Sequence, residues 1–311
     1  MNRRRYEWRL KQRTILLGER TLLMGILNIT PDSFSDGGRY DDPDRAFAHA
    51  VALEDAGADL IDVGAESTKP GSERISEAEE LRRLVPVLRR LIGKISVPIS
   101  VDTYKSAVAE KALEIGAEII NDPTALTFDP LLSKSIAHYD AGFITNHMRG
   151  TPESWAKLPP MKDPLNTIVG DLDASVHRAV RAGVDRQRIV VDPGLGFGKR
   201  REQNSEILAK LPQLSRLDLP ILVGPSRKAF LAQFQKTEHP AELDFMTAAA
   251  VTAAILGGAH LVRVHDVAAM KPAVQLADQI LGFTYVEEAP PPPRSQRTFP
   301  TRPRGVRGVD R

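Results

Sequence analysis

Short, nearly continuous apolar runs alternate along this chain with longer stretches in which apolar residues recur at helical spacing. The first run is LLMGILN at 22–28, and the same phrasing returns in EDAGADLIDVG, LEIGAEIIND, YDAGFITNH, RAGVDRQRIVVD and LGGAHLVRVHD. In each of these five a helical segment ends at glycine, a short joint follows, and an apolar strand comes next. Glycine suits the left-handed position that closes a helix. Two more strands, VPISVD and LPILVG, are introduced by proline instead. Between the runs, residues 43–56, 76–92, 104–115 and 242–257 have the periodicity of amphipathic helices. Strands that read as unbroken apolar runs are buried on both faces, as in a parallel sheet.

Eight such strands alternating with helices over about 260 residues predict an α/β fold, a (β/α)8 TIM barrel. An open doubly wound sheet is the competitor, but no run has the polar character of an edge strand. The barrel is expected to span 21–286. A short basic N-terminal extension, 1–20, precedes it, and a Pro/Arg-rich tail, 287–311, reads as disordered.

Composition narrows the function classes. The chain has no cysteine, which removes disulfides, thiolate metal sites and cysteine nucleophiles. No apolar stretch approaches the ~20 residues of a membrane span, and no signal-peptide core follows the basic start, so a cytoplasmic protein without membrane contact is expected. The net charge of +2 conceals two basic ends around an acidic body. Those ends read as solvated tails rather than as a nucleic-acid surface.

A barrel places its chemistry where strands end, at the C-terminal rim. Those positions here are Asn28, Glu66 and Thr68, Asp102, Asn121, His147, Asp192, Ser226 and Lys228, and then Arg263, His265 and Asp266. One polar residue at a strand end is an ordinary loop side chain; a full ring of them predicts a site. Lys228, Arg263 and His265 supply cationic or potentially cationic groups, and GPSRKAF is expected to put Ser226 and Arg227 at a helix N-terminus, where anions are favoured. Asp102, Asn121 and Asp192 come from three strands and offer acceptors and donors for the edge of an amino-pyrimidine ring, although Asp102 or Thr103 would equally serve as a helix cap. Phe197 or Met148 could cover the ring face. DPGLGFGK fits neither dinucleotide nor P-loop glycine spacing and reads as a tight turn presenting Asp192, Phe197 and Lys199. No histidine spacing suits a zinc cage; Asn28, Asp32 and Asp36 instead suit Mg2+, which keeps waters and shares phosphate oxygens. The sequence RVHDV leaves open that Asp266 orients His265.

Taken together, NITPDSFSDGGRY, GAESTKPGS, SVDTYKSAVAEKAL, IINDP, DPGLGFGK, GPSRKAF and RVHDV resemble the dihydropteroate synthase family, in order, from about residue 21 to 283. That resemblance implies a pterin-binding barrel. Its enzymes join 6-hydroxymethyl-7,8-dihydropterin pyrophosphate to p-aminobenzoate, releasing pyrophosphate and forming dihydropteroate for folate. It implies pterin contacts at Asp102, Asn121, Asp192, Lys228, Phe197 and Met148. Pyrophosphate would be held by Asn28, Arg263 and His265, with Asn28 also on Mg2+. Phe34, Ser35, Thr68, Lys69 and Pro70 would form the p-aminobenzoate pocket, Asp36 would stabilise a pterin-methylene cation, and a homodimer would be the working form. Three places depart from the family pattern: Lys69 replaces an arginine, Ala229 replaces a serine, and PTALTFDP follows Asn121-Asp122. Two alternatives remain, a catalytically silent pterin-binding paralogue and a methyltetrahydrofolate methyltransferase on the same barrel.

Overall fold

The computed structural model describes residues 3–30, 43–69, 71–233 and 239–284. Ten strands are present among them: β1 Tyr6–Arg9, β2 Thr14–Leu17, β3 Leu22–Asn28, β4 Leu60–Gly64, β5 Ile99–Asp102, β6 Ile119–Asp122, β7 Gly142–Asn146, β8 Ile189–Asp192, β9 Leu222–Val223 and β10 Leu261–Val264. The last eight pair in parallel in the order β8-β7-β6-β5-β4-β3-β10-β9, and a bridge between Val191 and Ile221 brings the two ends of that row together. The helices α1 Pro43–Asp55, α2 Glu77–Leu91, α3 Ser106–Ile115, α4 Leu132–His138, α5 Pro164–Arg181, α6 Arg201–Ala209, α7 Pro240–Leu256 and α8 Val267–Thr284 alternate with these strands. The chain is therefore the (β/α)8 barrel that the alternation predicts. No helix among the described residues is long and apolar enough to cross a membrane.

Local chemistry explains the joints. Ser76 caps α2 by accepting from the Glu79 N–H, with Glu77, Glu79 and Glu80 in the first turn and Arg89 and Arg90 in the last, the arrangement the helix dipole favours. Gly57, Gly116, Gly183 and Gly258 all have positive φ and close helices as the repeat anticipates. In YDAGFITNH the left-handed residue is Asp140, at φ 54, and not the glycine. Gly142 is small for another reason: a Cβ there would lie 2.4 Å from Leu10 Cδ2 and 3.3 Å from the Trp8 ring.

Trp8 and Leu10 belong to the basic N-terminal extension, which is not simply a solvated tail. β1 and β2 form an antiparallel hairpin under the N-terminal end of the barrel. Trp8 is 0% exposed, its indole N–H donates to the Arg188 carbonyl at 2.8 Å, and it clusters with Leu17, Met24, Leu60, Ile119 and Ile144. The Arg3 side chain is buried as well, paired with Asp278 at 3.0 Å. The hairpin plugs the barrel floor from below, so the open end is the opposite one, where the strands finish. The tail at 287–311 lies outside the described residues.

Replacing Trp8 with alanine removes the largest part of this plug. Urea unfolding should register a loss of roughly 3–5 kcal/mol; a loss below about 1 kcal/mol would mean that the hairpin is not part of the cooperative core.

Candidate active site

Asp62 is the one charged position within the buried LIDVG strand β4. It is 0% exposed. Its Oδ2 accepts from Asn121 Nδ2 at 3.0 Å and from Arg263 Nε at 2.6 Å. Arg263 Nη2 reaches on to Asp102 Oδ2 at 3.1 Å. Side chains from β4, β5, β6 and β10 are thereby tied into one network across the barrel mouth. A carboxylate at zero exposure is tolerable only when paired; the Arg263 guanidinium pairs with both carboxylates, while Asp62 Oδ1 has no hydrogen-bond partner among the described residues.

Strand register makes the row around this network. Asn28 pairs with Gly64, Gly64 with Asp102, and Asp102 with Asn121, so these four positions share one level. Gly64 keeps the space between two of them clear: a Cβ there would sit 3.4 Å from Asn28 Oδ1 and 3.7 Å from Asp102 Cβ. Gly224 does the same between Arg263 and Asp192, whose atoms lie 3.6 Å and 4.0 Å from where its Cβ would be. Asp102 is not spent as a helix cap, because the Ser106 N–H that begins α3 donates to Asp129.

Burial dominates the electrostatics. It pushes the Asp102 carboxyl up to about 7, against the pull of Arg263 and with a further push from Asp62. It raises Asp192 to about 6 despite the Gly194 N–H that donates to Oδ1 at 2.7 Å. The same burial, reinforced by Arg263, lowers the Lys228 ammonium to about 8. Lys228 Nζ lies 3.9 Å from the centroid of the Phe197 ring, and Trp155 backs that ring edge-on at 5.6 Å and 82°. His265 is driven down to about 3, by burial first and then by Arg263, Arg227, Lys228 and Lys69. In the free protein it is a neutral imidazole. Its main-chain N–H donates to Ser226 Oγ at 3.1 Å, and its Nδ1 lies 2.9 Å from the same oxygen. Ser226, not Asp266, orients this ring, since Asp266 caps α8 through the Ala269 N–H.

Several rim residues do not join the site. Glu66 is taken up by the Tyr104 hydroxyl, at 2.6 Å, and by Lys105, which also binds Glu80. The His147 ring turns to Asp171 of α5 at 3.0 Å. Lys199 donates to main-chain carbonyls instead of projecting from its turn. Ser226 and Arg227 sit in a turn and not at a helix N-terminus; Arg227 has φ 54 and makes a bidentate pair with Asp244 at 2.9 and 2.7 Å. Thr68 and Lys69 follow β4, with Lys69 exposed, and Met148 is half-buried after β7. The unusual PTALTFDP segment is a closed loop: Asp122 accepts from the Thr124 and Leu126 N–H groups, and Arg178 donates to the Ala125 carbonyl. Asp32, Phe34, Ser35, Asp36 and Pro70 lie outside the described residues. Asp62 is the residue that reading the strand ends missed. Its signal was available, an aspartate in the middle of an otherwise apolar strand.

A paired-carboxylate floor, an ammonium over an aromatic ring and a neutral histidine beside an arginine suit a barrel enzyme for a flat, amino-substituted heterocycle carrying an anion. The comparisons agree. A family described as pterin binding enzyme matches residues 24–265. The chain is 42% identical over 263 residues to the dihydropteroate synthase of Synechocystis sp., covering 85% of this chain and 91% of the relative. The dihydropteroate synthase of Clostridium difficile, solved in the presence of pteroic acid, superposes with a TM-score of 0.80 at 41% identity, over 85% of this chain and 98% of that one. The Xanthomonas albilineans dihydropteroate synthase with 4-aminobenzoic acid gives a TM-score of 0.82 at 38% identity, over 89% and 98%. The chain belongs to the pterin-binding enzymes and, within them, to the dihydropteroate synthase family.

Proposed function

We propose that this barrel condenses 6-hydroxymethyl-7,8-dihydropterin pyrophosphate with p-aminobenzoate to 7,8-dihydropteroate. The observation that carries the residue assignments is the network in which Asp62 holds both Arg263 and Asn121 while Arg263 also spans to Asp102. Asp102, Asn121 and Asp192 line up acceptors and a carboxamide for the pterin's ring edge, Lys228 donates to its carbonyl side, and Phe197 and Met148 bound its faces. The relatives solved with pteroic acid and with 4-aminobenzoic acid support a pterin and an aminobenzoate as the substrate classes.

In the reaction the methylene C–O bond breaks with its electron pair leaving on the pyrophosphate. The amine nitrogen of p-aminobenzoate then bonds the methylene carbon and loses one proton. Arg263 stabilises the departing charge. Ser226 Oγ already accepts the His265 N–H, so its hydroxyl hydrogen is free to donate to Nδ1. That leaves the ring proton on Nε2 as a neutral donor toward the pyrophosphate. Fixed donors in a desolvated site are where such stabilisation is largest. Among the described residues no cluster of three His, Asp or Glu side chains is placed to cage a metal. Mg2+ fits nonetheless in its usual manner, one protein oxygen plus phosphate oxygens and water. Asn28 Oδ1, beside the gap kept by Gly64, is the ligand that the described residues would offer. When bound, Mg2+ would neutralise charge building on the pyrophosphate. Asp36, with Phe34, Ser35 and Pro70, is assigned here to the cation and to the amine pocket by family resemblance, alongside Thr68 and Lys69.

Purified full-length protein given both substrates and Mg2+ should release pyrophosphate and form dihydropteroate together. Its kcat/KM should be bell-shaped in pH. The acid limb follows ionisation of Asp192 at about 6 and Asp102 at about 7, since only the carboxylates accept from the pterin, and the alkaline limb follows loss of the Lys228 proton near 8. Pterin binding without product would favour the silent paralogue, and a flat profile from pH 6 to 9 would remove these roles.

We also infer a homodimer. α7 and α8 pack together, and their outer surface exposes Phe245, at 74%, with Leu276, Leu256 and Ile280. Large apolar side chains exposed on two adjacent helices suit an interface. Sedimentation of the full chain should give twice the monomer mass and Leu276→Glu should reduce it to one; a wild-type monomer at micromolar concentration would refute the dimer.

A further inference from the structure

Lys199 ends the DPGLGFGK turn, and nothing in the reaction above uses it. Its side chain is buried, 9% exposed, and its ammonium donates to two main-chain carbonyls, His147 O at 2.7 Å and Gly194 O at 2.6 Å. Burial drives its pKa well below the ordinary lysine range, with the charge of Asp192 the main opposing influence. Keeping an ammonium there is costly unless its hydrogen bonds are needed.

The two carbonyls belong to different loops. His147 begins the segment after β7 that carries Met148; Gly194 lies in the segment after β8 that carries Phe197. The two segments are pressed together elsewhere as well. Gly194 sits at φ +66 with its Cβ position only 2.0 Å from His147 O, so no side chain fits between them. The Arg149 N–H donates to Phe197 O at 3.4 Å, and its guanidinium reaches Gly198 O at 3.4 Å. Gly198 is likewise seated against Arg149, its Cβ position 2.4 Å from the Arg149 carbonyl. The aromatic ring held by the second segment is the one under Lys228 Nζ and beside Trp155.

We propose that Lys199 is a positioning residue, a charged staple between the β7 and β8 loops that fixes Met148 and Phe197 relative to each other and thereby sets affinity for the planar ring. This rests on the pterin reading of the site given above. A staple of this kind acts on one substrate. Loosening it should weaken the heterocycle, whose faces those two side chains bound, and leave p-aminobenzoate and the pyrophosphate step, which depend on other strands, nearly unchanged.

Lys199→Met keeps the length of the side chain and removes its donors. In the full-length protein, calorimetry with the pterin pyrophosphate should show affinity weakened by about tenfold to a hundredfold, the scale of lost hydrogen bonds from a buried charged group. The KM for p-aminobenzoate and kcat should stay within about threefold, and Trp155 emission should shift to the red as the loop around it loosens. Lys199→Arg, which retains charge and donors, should recover most of the affinity. If Lys199→Met fails to fold, Lys199→Gln, which keeps one amide donor, is measured in the same way with an intermediate loss expected. Pterin affinity within twofold of wild type in a folded variant, or equal losses for both substrates and kcat, would overturn the staple. Because pterin affinity is read directly, the result stands even if the wild type makes no dihydropteroate, an outcome that would refute the proposed reaction instead.

Discussion

Arg263 stretched between Asp62 and Asp102 is the constraint on which the open end of this barrel depends. Three charges have been taken out of water inside a ring of parallel strands. Such groups are costly, and an apolar replacement of similar size is often as stable or more so. Their presence therefore says more about recognition than about stability. Once Asp62 is buried, its Oδ2 takes both donors, Arg263 Nε and Asn121 Nδ2, while Oδ1 has no hydrogen-bond partner among the described residues. With Nε committed there, Arg263 Nη2 reaches on to Asp102. The site is rigid because each member is fixed by another.

The rest of the molecule makes that burial tolerable. Below the network the barrel interior is apolar, and the β1–β2 hairpin seals it with Trp8 and Leu17, so water reaches the charges from one side only. Above it, Gly64 and Gly224 leave gaps in the row of side chains where a substrate's atoms can enter. The low polarity that raises Asp102 and Asp192 also lowers Lys228 and His265. The free site thus carries less charge than its residue list suggests, and an anionic substrate would hold Lys228 in its charged form.

Much of this was legible in the sequence. Unbroken apolar runs with glycine or proline joints gave the barrel, because strands buried on both faces admit few other residues. Strand ends gave Asn28, Asp102, Asn121, Asp192, Lys228, Arg263 and His265, because the fold fixes where they lie. Direction was harder. Glu66, His147 and Lys199 occupy the same rim and are equally plausible site groups on paper, yet each turns to a partner away from the site: Lys105, Asp171 and the His147 and Gly194 carbonyls. A strand's last residue can be located by pattern; the way the next few side chains turn depends on packing between loops. The helix expected at Ser226 fails similarly, because Arg227 in a left-handed turn pairs with Asp244 and the chain does not coil there. Asp62 was overlooked for the opposite reason: it lies inside the strand, one turn of the pleat below the rim.

The most direct measurement is kcat/KM for dihydropteroate formation by Asp62→Asn, alongside its thermal unfolding. Asparagine keeps the volume and one acceptor but removes the charge that holds Arg263. The expected result is a fall of about tenfold to a hundredfold in a protein that unfolds within a few degrees of wild type. Activity within twofold of wild type would contradict it, and would mean that Arg263 finds its place without Asp62.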